Sequence, residues 1–288
     1  MPVVCMINRK GGVGKTTLTL ALADFLSAIH GRSVLVIDVD PQSSASVMLL
    51  GEDDWKDLED AELTVADLFA GAIRRPGPPL PVDIGPFIRP TRRVKGASGQ
   101  VHVLASSPRL QSNEENAIET LASWSPYAGS PYMILQQALF AHVINAYDYV
   151  LIDCPPSIGL ITLNALTMSS GYLIPTIPDY VSTVGLTQVT QRVKLHAEGL
   201  RRKIPLYGTV VTRYKRSARL HSSILEELRG RPEAQPLWDT IIPDTVRAEE
   251  ALNQTAGLMT LKARYGGGSH ALYTSFEELA VEFLQRVS

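Results

Sequence analysis

Lys10-Gly11-Gly12-Val13-Gly14-Lys15-Thr16-Thr17 decides the fold of this chain. Before it lies Val3-Val4-Cys5-Met6-Ile7, an apolar run of strand type. After it, Leu18, Leu20, Ala21, Leu22, Phe25 and Leu26 recur at helical spacing. Strand, glycine-rich turn and helix make the setting of a phosphate-binding loop. Gly11, Gly12 and Gly14 carry no Cβ, so backbone N–H groups can close on an anion, and the positive end of the following helix adds its field there. In such a loop Lys15 reaches the β- and γ-phosphates and the Thr16 hydroxyl binds Mg²⁺.

The wider composition agrees with a globular protein. The 288 residues are 45% hydrophobic and 19% charged, enough chain for a substantial core. Cys5 and Cys154 lie in apolar runs with neither metal-ligand spacing nor a disulfide framework, which points to a reducing cytoplasm. No apolar run approaches the roughly 20 residues that span a bilayer. The N-terminus lacks a basic-then-apolar signal layout.

The loop departs from the pattern G-x-x-x-x-G-K-[ST]: Arg9 stands where the first glycine belongs, and a second lysine, Lys10, opens the turn. This K-G-G-x-G-K-T-T form resembles the deviant Walker A of the ParA/MinD superfamily of dimeric ATPases. The resemblance implies ATP and Mg²⁺ as cofactors, held by Lys10, Gly11, Gly12, Val13, Gly14, Lys15, Thr16 and Thr17. It also implies a homodimer in which Lys10 reaches the partner's phosphates and neutralises charge on the transferred phosphoryl group.

Two further motifs follow in the order of that superfamily. Ser33-Val34-Leu35-Val36-Ile37 reads as a second buried parallel strand and runs into Asp38-Val39-Asp40-Pro41-Gln42. Ligand sites in α/β folds form at such strand ends. The D-x-D-P-Q run resembles the ParA family, where Asp40 would orient the attacking water and Asp38 would support the Mg²⁺ shell. Tyr149-Val150-Leu151-Ile152-Asp153 ends an apolar strand in a carboxylate, the Walker B arrangement, which can hold the metal's water shell. Its continuation Cys154-Pro155-Pro156-Ser157 extends the likeness. The resemblance therefore implies Lys10, Lys15 and Asp40 as catalytic residues and Thr16, Asp38 and Asp153 as metal residues.

The rest of the chain reads as a single α/β domain over residues 1–288: a mostly parallel twisted sheet with helices on both faces, of the P-loop NTPase (deviant Walker A) type. Further strands are expected at 101–105, 171–176, 207–211 and 238–242. Helices are expected at 15–29, 63–69 with a Thr64 cap, 109–122, 132–146, 182–200 and 269–288. The last carries Leu272, Phe276, Leu279 and Phe283 on one face. The resemblance implies that Thr212, Arg213, Pro243 and Asp244, at two late strand ends, contact the adenine. Residues 74–99, rich in Pro, Gly and Arg, read as an irregular surface loop inserted into this domain.

The formal net charge is −2, yet Arg192, Lys194, Arg201, Arg202, Lys203, Arg213, Lys215, Arg216 and Arg219 crowd one span in which Glu198 is the only acid. Such a surplus can hold a phosphate backbone without reading sequence. Lys194, Arg201, Arg202, Lys203, Lys215, Arg216 and Arg219 are the candidate DNA contacts. The family resemblance completes the expectation: a cytoplasmic, nucleoid-associated partition ATPase that dimerises on ATP, binds nonspecific duplex DNA and is stimulated by a ParB-like partner. A loop beginning by residue 10 leaves no room for an N-terminal helix-turn-helix domain. The alternative is a MinD-like membrane-cycling ATPase, which needs a basic amphipathic C-terminal helix. Here Glu277, Glu278 and Glu282 face anionic lipid unfavourably, so no membrane partner is expected. An iron–sulfur reductase with the same loop needs two cysteines at the dimer face, and Cys5 lies in the first strand.

Overall fold

In the computed structural model, residues 1–74, 83–91, 94–113, 130–143, 145–253, 258–266 and 271–287 are described. Among them, eight strands form one sheet: β1 (Val3–Met6), β2 (Ser33–Asp38), β3 (Ile88–Pro90), β4 (Gln100–Leu104), β5 (Tyr149–Asp153), β6 (Gly171–Thr176), β7 (Leu206–Tyr214) and β8 (Leu237–Pro243). Their spatial order is β3-β4-β2-β5-β1-β6-β7-β8. Only β3 and β4 pair antiparallel.

The apolar run of β1 is continuous because both faces of this strand are covered. Val3, Cys5 and Ile7 enter one core, and Val4 and Met6 enter the other. The second core is built with α1 (Lys15–Ala28), α2 (Ser44–Leu50), α3 (Glu52–Asp60), α10 (Val246–Asn253), α11 (Leu261–Tyr265) and α12 (Ala271–Arg286). There Phe25 meets Tyr265, Tyr273 and Phe276 at centroid distances of 5.2–6.3 Å. The first core is built with α4 (Val65–Arg74), α6 (Ile134–Val143), α7 (Leu160–Met168), α8 (Tyr180–Gly199) and α9 (Arg219–Arg229). A further helix, α5, is described over 109–113.

Several boundaries differ from the sequence reading for identifiable reasons. Helix α8 starts two residues early because Asp179 is its N-cap, accepting the Ser182 amide at 2.8 Å. Thr64 works in the opposite sense to the expected cap: its amide and hydroxyl both donate to Asp67, at 3.0 and 2.7 Å. Residues 74–99 are not wholly irregular. Gly85–Phe87 form a 3₁₀ turn and β3 lines the sheet edge, the position where a strand tolerates Pro90. Residues 75–82 and 92–93 of the expected loop and 114–122 of the expected helix lie outside the described residues, as do 123–129, 144, 254–257, 267–270 and 288. Helix α7 had no periodic signal because all nine of its residues are buried.

Candidate nucleotide-binding site

Between β1 and α1 the chain turns through residues 7–14. Gly12 and Gly14 adopt φ of 70° and 86°. Gly14 is the N-cap of α1 and supplies no side-chain cap, so the leading amides of the helix are left for a ligand. Two neighbours brace the loop. The buried Asn8 donates to Pro175 O at 2.7 Å and accepts the Lys10 amide at 3.0 Å. From β7, the Thr212 hydroxyl donates to Val13 O at 2.7 Å. The sequence reading missed Asn8; the one available signal was an asparagine two residues before a turn, where its side chain can bond the backbone ahead.

β1, β5 and β2 are neighbours, so their C-terminal ends gather the charged residues. Asp38 and Asp153 are register partners on adjacent strands, and Met6 pairs with Asp153 on the other side. Thr16 Oγ1 donates to Asp153 Oδ2 at 2.7 Å. Asp153 Oδ1 is buried without a hydrogen-bond partner. Lys15 Nζ lies 3.4 Å from the carbonyls of Asn8 and Lys10.

Burial dominates the electrostatics. It raises Asp153 to about 8, with the Asp38 charge adding to it and the Thr16 bond opposing it. It raises Asp38 to about 6 against bonds from Ser46 and the Asp40 amide. The Lys15 ammonium is lowered by burial despite Asp153 and Asp40. An orphaned carboxylate oxygen beside a hydroxyl is a hard oxygen donor set, and Mg²⁺ commonly takes only one or two carboxylates and keeps its water. The residues fit that ion.

Asp38 also shapes the loop after β2. Its Oδ2 accepts the Ser46 amide and hydroxyl at 2.8 and 2.7 Å, and its Oδ1 accepts the Asp40 amide at 3.0 Å. Asp38 thereby fixes where Asp40 projects. Arg9, in place of the expected glycine, donates to Gln188 on α8, and Lys10 pairs with Asp179.

A cavity of about 200 Å³ opens between the loop and the ends of β7 and β8. Thr212, Arg213, Pro243 and Asp244 all line it, together with Ile242 and Ala248. The Arg213 guanidinium lies 3.3 Å from Asp244 Oδ1 and 3.4 Å from Gly12 O, and Lys215 Nζ lies 3.2 Å from Asp244 Oδ2. Ala248 was missed because α10 was not read from the sequence.

The basic run is divided in space. Lys194, Arg201 and Lys203 are exposed near the last turns of α8 and the approach to β7, whereas Lys215, Arg216 and Arg219 are exposed beyond its other end. A nine-residue strand separates the two groups by roughly 25–30 Å. Arg202 donates to the carbonyls of Thr167, at 2.7 Å, and Ser169 at the end of α7.

Sheet order, glycine loop and converging acids define a P-loop α/β nucleotide-binding fold. The AAA domain family matches residues 1–206. The chain is 30% identical over 248 residues to the chromosome partitioning protein ParA of Myxococcus xanthus, covering 86% of this chain and 77% of that one. It is 31% identical over 249 residues to the sporulation initiation inhibitor protein Soj of Bacillus subtilis, covering 86% and 87%. A solved structure of cobyrinic acid a,c-diamide synthase from Mycobacterium smegmatis, with bound ATP analogue and magnesium, shares the fold. It matches with a TM-score of 0.73 at 23% identity over 99% of this chain and 94% of that one. The chain belongs to the ParA/Soj family of partition ATPases.

Proposed function

We propose that this ATPase binds ATP with Mg²⁺, dimerises on it, holds duplex DNA nonspecifically and positions a DNA or other large cargo with a ParB-like partner that stimulates slow hydrolysis. The reading places it in the cytoplasm, on the nucleoid. The observation that carries it is the meeting of Lys15, Thr16, Asp38 and Asp153 at the ends of three adjacent strands, beneath a loop whose helix amides are uncapped.

In this reading the amides of residues 11–17 and the Lys15 ammonium hold the phosphates. Thr16 and Asp153 hold the metal, with Asp38 supporting that shell and aiming Asp40 at the attacking water. Bound magnesium supplies neutralisation of phosphate charge. Thr212, Arg213, Pro243 and Asp244 bound the base, and Lys10 serves the nucleotide of a second copy.

The membrane-cycling alternative needs a C-terminal helix with a free apolar face. Leu272, Phe276, Leu279 and Phe283 of α12 are at most 1% exposed, so that helix's apolar face is already used in the core. Among the described residues, no helix is long and apolar enough to cross a membrane.

The test is binding to nonspecific duplex DNA at two salt concentrations with ATP, ADP or no nucleotide. ATP-dependent binding that weakens steeply with salt is the expected result. Equal binding in all three states would break the link between DNA and nucleotide, and no binding in any would remove the DNA role.

A further inference from the structure

Lys10 is tethered from both ends to one neighbouring segment. Its amide is held by Asn8 Oδ1 at 3.0 Å, and Asn8 is anchored in turn on Pro175 O at 2.7 Å. Its ammonium pairs with Asp179 Oδ2, four residues further along the same segment. The Asp179 carboxylate is itself immobilised, because Oδ1 accepts the Ser182 amide at 2.8 Å and caps a 20-residue helix. Arg9 makes a parallel tie to Gln188 on that helix.

Just after the pair, the first turns of that helix carry exposed apolar side chains. Tyr180 is 71% exposed, Val181 69% and Val184 45%. The ion pair itself is about one-third exposed, with side-chain values of 35% and 27%. Burial alone would raise Asp179, yet the bonds from Lys10 and Ser182 outweigh it and hold the carboxyl below its usual range.

We propose that Asp179 is a latch that holds Lys10 on its own chain, and that the lysine must leave Asp179 before it can serve a nucleotide bound to a second copy. This inference rests on the reading of Lys10 as a residue acting across a dimer. A lone chain then keeps Lys10 engaged, and two latches open for each dimer formed. An exposed ion pair of this kind shifts an equilibrium by up to about fivefold, so two shift dimerisation by up to about twenty-fivefold.

Asp179→Asn separates the latch from the cap, because asparagine caps helices as well as aspartate but carries no charge. The dimer dissociation constant is measured by sedimentation with a nonhydrolysable ATP analogue, for wild type, Asp179→Asn, Lys10→Ala and the double variant. Asp179→Ser, another cap former, replaces Asp179→Asn if that variant does not fold.

The expected result is a dimer tightened severalfold, up to about twenty-fivefold, by Asp179→Asn, with no such gain in the Lys10→Ala background. A wild type that dimerises while Asp179→Asn is unchanged or weaker overturns the latch alone. An equal gain in the Lys10→Ala background also overturns it, since the effect would not pass through Lys10. A wild type that stays monomeric with the analogue overturns the dimer reading and the latch with it.

Discussion

Gly14 and Gly208 show two different reasons for a glycine. At Gly14, φ is 86°, and a Cβ would come no closer than 3.6 Å to Thr212. Space is available, but the left-handed backbone is unfavourable for any other residue. Gly14→Ala should therefore destabilise by about 1–2 kcal/mol in urea unfolding and weaken ATP binding by calorimetry. At Gly208, a Cβ would lie 1.9 Å from Trp238 Nε1, whose N–H donates to Tyr207 O at 3.0 Å. Gly208→Ala must displace a buried indole, and a loss of about 3 kcal/mol, the upper end for overpacking, is expected in the same assay. The first glycine was legible because a motif surrounds it. The second was not, since its neighbour comes from another strand. The Walker residues were legible for the same reason as Gly14, whereas the bracing by Asn8 and Thr212 depends on contacts 167 and 199 residues away in sequence.

At the scale of elements, α12 is fastened to the sheet edge by an acid that sequence alone reads as surface charge. Glu282 accepts the amides of Asp239 and Thr240 on β8, both at 3.0 Å, and the Arg286 guanidinium at 2.8 Å. Burial pushes its carboxyl up, but these bonds outweigh burial and hold it below its ordinary 4.5. The unfolded chain then binds the proton more readily. Glu282 contributes fully above about pH 4.5, and its contribution is lost as pH falls through the lower native value. Thermal melts of wild type and Glu282→Gln should differ most above pH 5 and converge in stronger acid. On the other face of α12, Phe276 packs 5.2 Å from Tyr265 and 6.3 Å from Phe25. Phe276→Ala should cost about 3–5 kcal/mol in chemical unfolding. Periodicity exposed α12, which has a distinct buried face, whereas α1 was legible chiefly from the glycine turn before it, since every residue from Leu18 to Ser27 is buried. Periodicity could not expose α7, buried all round, nor β3, three residues long and defined only by its pairing with β4.

For the whole molecule, the division of the basic run sets which of its charges lie beside the cavity at the glycine loop. Lys215 shares Asp244 with Arg213, and both Arg213 and Asp244 line the cavity beside the glycine loop. Lys215, followed in the chain by Arg216 and Arg219, therefore adjoins that cavity through Asp244, whereas Arg201 and Lys203 stand at the opposite end of β7. Arg216→Glu with Arg219→Glu should abolish ATP-dependent DNA binding in a salt titration, and Arg201→Glu with Lys203→Glu should leave its nucleotide dependence intact. What the sequence by itself determined was the local chemistry: a glycine turn between strand and helix, acids closing apolar strands, and buried cysteines without partners in a metal or disulfide pattern. Those features depend on neighbours a few residues apart. The tertiary structure decided everything that depends on strand order. It placed Asp38 against Asp153, brought Thr212 onto Val13, split one run of charge into two, and set Lys10 on Asp179. The physical reason is that side-chain partners across a parallel sheet are chosen by register and crossover, which no local spacing encodes.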